Sequence, residues 1–240
     1  MALYPDSELT IRASLDAAHQ KTIMSFSAPG RWWSAKQRVA IVAAARDARC
    51  EAGLQDQSVQ DPNAGVIPPA AEAVARRVAV STNDLDRSFY DQAITEGLSD
   101  AEYCEIVGVV ARASNVDVFA RGIGVPPRKL AQAGEEQPSR VRPEILLDEG
   151  AWTKTIPGGR RGKQEAIDTY GTNAVEGAPF IYRALSLVPE EAQDLIALGA
   201  SQYVEIANFM DLNFTYEPTI SRQQVELLAA RVSAINECFY

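Results

Sequence analysis

Apolar positions recur at helical spacing through most of the chain. Between residues 8 and 26, Leu9, Ile11, Leu15, Ala18 and Ile23 fall at helix-compatible intervals, and the Ser-Ala-Pro-Gly turn at Ser27 to Gly30 ends them. Ser34 and Gln37 then have capping-box spacing, in which hydroxyl and amide side chains satisfy free amides at a helix start, and an Ala-rich helix follows to about Gly53. Polar residues with Pro, Asp and Gly between Gln55 and Pro69 predict an exposed loop. Helices resume near Ala70. The cluster Ser81-Thr-Asn-Asp84 leads into Leu85, Phe89 and Ile94, and Leu98-Ser-Asp-Ala-Glu102 opens another capped helix reaching toward Gly122.

Five prolines break the periodicity between Gly124 and Pro157, so this stretch predicts a surface connector, pinned by Trp152, between lobes 1–145 and 146–240. The segment Thr155 to Gly177 reads as loop with a helical turn at Lys163 to Tyr170. Pro189 suits a first helical turn, and Leu195, Leu198, Ile206, Phe209 and Met210 give one long helix an apolar face. After a turn at Asn213 to Pro218, Ser221 and Gln224 repeat the capping spacing, and Val225, Leu228, Val232 and Ile235 define a final helix. The expected fold class is all-α. Cap-to-cysteine intervals of 16 residues (Ser34 to Cys50) and 17 (Ser221 to Cys238) fit two diverged copies of one unit, or a chance recurrence of common features.

Composition then removes function classes. A chain of 240 residues with 46% hydrophobic content buries a core, whereas a net charge of -9 disfavours nucleic acid and anionic membrane as partners, since both need a basic surface. The start of the chain has no basic and apolar leader, and no stretch approaches the roughly 18 apolar residues of a membrane span, so a cytoplasmic protein is expected. Cys50, Cys104 and Cys238 are too few and too scattered for a disulfide framework and predict reduced thiols. His19 is the only histidine, which works against a Ser-His-Asp triad or a multi-histidine metal site; no metal or cofactor is expected. The segment Gly158-Gly-Arg-Arg-Gly162 lacks the phosphate-loop spacing and reads as a basic loop, and Trp32 and Trp33 as packing at a helix start.

Residues 227 to 240, Leu-Leu-Ala-Ala-Arg-Val-Ser-Ala-Ile-Asn-Glu-Cys-Phe-Tyr, resemble the core of alkylhydroperoxidase D-like and carboxymuconolactone decarboxylase-like proteins, above all their peroxidase-related branch. There a helical Glu stands twelve residues before Cys-x-x-Cys-x-x-x-His, and Glu226 stands twelve before Cys238. Arg183 to Pro189, the helix through Tyr203, and Leu98 to Pro126 are also similar to longer, two-lobed members, so the resemblance covers most of the chain. It implies a two-lobed helical antioxidant protein and commonly a homo-oligomer. Cys238 is its redox thiol, Glu226 its proton-relay carboxylate, a hydroperoxide its substrate and a thiol its reductant. Arg38 or Val39 stands where a first copy would need its Glu, and the second cysteine and histidine of the motif would follow Tyr240. One expectation is that the next codon is UGA, read as selenocysteine in the native host, and that the chain ending at Tyr240 turns over little. The alternatives are a non-catalytic helical scaffold or small-molecule binding protein of the same fold and, less attractively given one histidine, a lactone decarboxylase.

Overall fold

A computed structural model of the protein describes residues 2–57, 59, 64–171, 178–204 and 208–238. Among them run α1 (Ala13–Ser25), α2 (Ala35–Glu51), α3 (Pro69–Val80), α4 (Arg87–Thr95), α5 (Asp100–Gly122), α6 (Lys163–Tyr170), α7 (Phe180–Arg183), α8 (Pro189–Gln202) and α9 (Arg222–Ile235). The only β pairing among the described residues is an isolated bridge between Leu147 and Thr155, so the fold is all-α. No helix among them is long and apolar enough to cross a membrane.

Local chemistry sets the helix starts. All three predicted capping boxes form: Ser34 with Gln37 before α2, Ser99 with Glu102 before α5, and Ser221 with Gln224 before α9. Asp86 caps α4 by accepting from the Phe89 amide, and Pro69 occupies the first turn of α3, where its missing N–H costs nothing. Two predicted elements are shorter than their patterns. Helix α1 starts at Ala13 rather than near residue 8, because Arg12 is extended and no side chain caps an earlier turn. Helix α8 stops at Gln202, where the Tyr216 hydroxyl donates to the Ala200 carbonyl at 2.9 Å, so it does not run on to Met210; Ile206 lies outside the described residues.

Two compact units divide the chain, Met1–Leu198 and Gly199–Tyr240. In the first, Ile41, Val42 and Ala45 of α2, Ala71, Val74 and Ala75 of α3, and Ile106, Val109, Val110 and Ala113 of α5 form one core cluster, which Phe26 joins. Each large aliphatic side chain fully buried there stabilises the fold by about 1.5–3 kcal/mol. A second cluster sets Ala101 and Cys104 of α5 against Leu185, Leu187, Val188 and Ala192. The proline-rich connector belongs to this first unit and is stitched to it by backbone: Gly134 N–H donates to Ser27 O and Arg140 N–H to Arg31 O, while the Ser27 hydroxyl donates to Ala131 O. Residue 145 is therefore interior to a compact unit, and the division between units falls within α8.

Gly108 of α5 lies against Glu191 of α8. A Cβ there would lie 2.5 Å from Glu191 Oε2, 2.7 Å from its Cβ and 2.9 Å from its Cγ, all inside van der Waals contact. Gly108→Ala is expected to destabilise the chain by about 1–3 kcal/mol through this overpacking, despite the better helix propensity of alanine. Urea unfolding measures it, and a stabilised variant would show that the two helices separate freely.

Candidate functional site

The three sulfurs have different surroundings. Cys104 is 2% exposed on α5, directs its sulfur toward the Leu185 carbonyl at 3.5 Å, and has its thiol pushed well above the ordinary range by burial. Cys50, near the end of α2, is half-buried and also raised, by burial first and then by Asp47. Cys238 alone is exposed. It follows the last turn of α9, beyond Asn236 and a Glu237 with φ of 51°, and its amide donates back to the Ser233 carbonyl at 2.9 Å.

Glu226 sits in the first turns of α9, among partners brought together from two segments of the second unit. The Tyr203 hydroxyl donates to one carboxylate oxygen and Arg222 Nε to the other, each at 2.5 Å. These two hydrogen bonds, Tyr203 first, hold the Glu226 carboxyl below its ordinary range, while burial and the nearby carboxylate raise Tyr203. Arg222 is 4% exposed; its remaining donors reach the carbonyls of Asn208, Phe209 and Asp211, and its guanidinium lies between the Tyr203 and Phe209 rings at 5.8 and 5.9 Å. Between Glu226 and Ile235 the helix rises roughly 14 Å. Carboxylate and sulfur thus stand near opposite ends of α9, and the groups the structure gathers around Glu226 are Tyr203 and Arg222. A helix opening at the cysteine motif, which the resemblance implies, lies outside the described residues.

A second constellation, unread from the sequence, lies in the core of the first unit. Arg38 Nη1 of α2 donates to Glu105 Oε1 of α5 at 2.8 Å and approaches Glu191 Oε1 of α8 at 3.0 Å; Arg112 of α5 grips Glu191 Oε2 through Nη2 at 2.6 Å. All four side chains are at most 5% exposed. Glu105 also accepts from the Trp32 amide at 2.7 Å, and Arg112 reaches Asp194 and the Ser25 hydroxyl. Burial pushes Glu105 up to about 7 against the pull of Arg38. Burial also opposes the charge on Glu191, but Arg112 and Arg38 together outweigh it and hold that carboxyl below its usual range. Of the two carboxyls, Glu105 is the one raised and Glu191 the one lowered. The interval from Glu105 to Asp117 is twelve residues, as is that from Glu226 to Cys238. Asp117 is itself buried and paired with Arg46 through bonds of 2.7 and 2.8 Å.

His19 is fully buried, with its Nδ1 2.7 Å from the Tyr4 hydroxyl and its ring edge-on to Phe119. It is distant in role from either cluster, a packed and hydrogen-bonded core side chain. Among the described residues no group of three or more His, Cys, Asp or Glu side chains is placed to hold a metal ion. No family model, no curated protein and no solved structure matches this chain.

Proposed function

We propose that Cys238 is the thiol that reacts with a hydroperoxide in a peroxidase-related redox centre. The observation that carries this reading is that, of three cysteines, Cys238 is the exposed residue, Cys50 being half-buried and Cys104 buried, and that it stands twelve residues after a helical carboxylate. A peroxide must reach the sulfur, and burial raises the thiols of Cys104 and Cys50 above their ordinary range. In the proposed step the Cys238 thiolate attacks one peroxide oxygen, the O–O bond breaks, the alcohol leaves with a proton and the sulfur becomes a sulfenic acid. A thiol reductant condenses with that acid, releasing water and forming a mixed disulfide, and a second thiol restores Cys238. Glu226 is the carboxylate this reading assigns to proton handling, with Tyr203 and Arg222 fixing both its oxygens.

The test is a stoichiometric reaction with an organic hydroperoxide, followed by a sulfenic-acid-specific label and peptide mass analysis. Labelling is expected at Cys238 and nowhere else, and to vanish in Cys238→Ser. Equal peroxide consumption by the serine variant overturns the proposal.

A non-catalytic helical scaffold is the second reading, and one observation favours it: both Glu226 oxygens are occupied by Tyr203 and Arg222, an arrangement that ties α9 to the segment before it. The two readings part on Glu226→Gln. Slower oxidation of Cys238 with unchanged stability supports proton handling, whereas an unchanged rate with a lower melting temperature supports the scaffold.

A further inference from the structure

A cavity of about 190 Å³ opens in the first unit, between the segment that follows α2 and the C-terminal end of α5. Gln55, Asp56, Asp117 and Arg121 give it polar walls, and Val125 and Pro126 an apolar one. Liquid water occupies roughly 30 Å³ per molecule and a cavity of about 150 Å³ accepts a guest the size of benzene, so this space has the size for a small organic molecule.

The walls lack one donor. Gln55 is 5% exposed, and its Nε2 donates to the Gln57 carbonyl at 2.6 Å, which fixes the orientation of the amide and leaves Oε1 as the unmet end. No described residue donates to that oxygen. The Cys50 thiol stands close enough for the Gln55 side chain to influence it, but gives Oε1 no hydrogen bond. A buried acceptor in this condition forfeits its hydration without a replacement. The charges, by contrast, are matched. Both Asp117 oxygens accept from Arg46, at 2.7 and 2.8 Å, while Arg121 donates to the Leu54 carbonyl at 2.7 Å and pairs with Asp56 at 3.5 Å. A charged guest would therefore meet no unpaired partner and would lose its own hydration, whereas a neutral hydroxyl supplies what Oε1 needs.

We propose that this cavity binds a small aliphatic alcohol, its O–H donating to Gln55 Oε1 and its chain lying against Val125 and Pro126. The site belongs to the first unit and does not depend on the redox reading, since Cys238 belongs to the second.

Titration of the full chain with n-butanol, followed through its backbone amide chemical shifts, tests the site. Saturable shifts are expected at residues 55–57 and 121–125, with a dissociation constant of about 1–10 mM, the weak affinity that roughly five heavy atoms allow. Methyl propyl ether, an isomer without the hydroxyl, is expected to bind about tenfold more weakly because it leaves Oε1 unsatisfied. Butylammonium and butyrate are each expected to bind more weakly than the alcohol. In Gln55→Leu, which puts an apolar side chain of similar volume at the wall, the alcohol should lose its advantage and bind no more tightly than the ether. The comparison of the two isomers on the native chain needs no variant, so it decides the matter even where Gln55→Leu fails to fold. Absence of saturable shifts at these residues up to about 50 mM, which leaves the cavity to water alone, overturns the proposal. Equal binding of the ether, or tighter binding of either ion, overturns it as well.

Discussion

Replacing Arg112 with alanine is expected to lower the unfolding free energy by about 3–5 kcal/mol, because it strands a carboxylate in the core. Arg112 is fully buried, donates to Glu191 Oε2 through Nε and Nη2, and stacks over the Phe26 ring at 5.1 Å. Without it Glu191, 1% exposed, keeps only Arg38, which it shares with Glu105. A chain of this size commonly has about 5–15 kcal/mol in total, so the variant approaches the limit of folding. Urea unfolding near neutral pH measures the loss. Substituting both partners by apolar residues of similar volume is expected to recover most of it, since the penalty belongs to the unpaired charge rather than to the absent ion pair. A loss below about 1 kcal/mol for Arg112→Ala would place Glu191 in contact with solvent and disprove the buried network.

Two buried groups are expected to tilt the pH dependence of stability in opposite directions. Burial pulls His19 down from 6.5 to about 4, so the folded chain resists protonation there. Its contribution is full above pH 6.5 and is lost as pH falls toward 4, a total of about 3 kcal/mol at about 1.4 kcal/mol per pKa unit. Glu105 behaves conversely. Its carboxyl is raised from 4.5 to about 7 by burial, so stability is greatest with the proton bound and falls as pH rises through that window. Between about pH 4.5 and 6.5 the two slopes offset each other, and the native curve should be nearly flat. His19→Gln should then lose stability as pH rises across this range, and Glu105→Gln should lose it as pH falls. The carboxyls held low by hydrogen bonds or arginines, among them Glu191, Asp100 and Glu226, lose their contributions only below about pH 4.5, outside this window. Parallel curves for the native chain and both variants would show that neither group titrates on folding.

Much of the fold was legible in the sequence because helix starts are local chemistry. The boxes at Ser34, Ser99 and Ser221 need only two side chains three residues apart, and each forms where it was read. Helix ends were less legible, because they depend on partners distant in sequence. The Ala200 carbonyl near the end of α8 is satisfied by the Tyr216 hydroxyl, a contact invisible to periodicity. The connector also has the composition of a boundary, yet its backbone bonds to Ser27 and Arg31 make it part of the first unit.

The candidate site divides in the same way. Sequence alone determined the all-α class, the capped starts of α2, α5 and α9, and the interval between Glu226 and Cys238, since each is set by side chains within a few turns of one another. Only the tertiary structure decided which thiol is exposed, which donors hold Glu226, and that Arg38, Glu105, Arg112 and Glu191 meet in the core. The reason is physical: a charged residue at a helical position looks the same in sequence whether it faces water or an opposite charge. Burial, which moves a carboxyl from an ordinary acid to one titrating near neutrality, is created only when distant helices close over it.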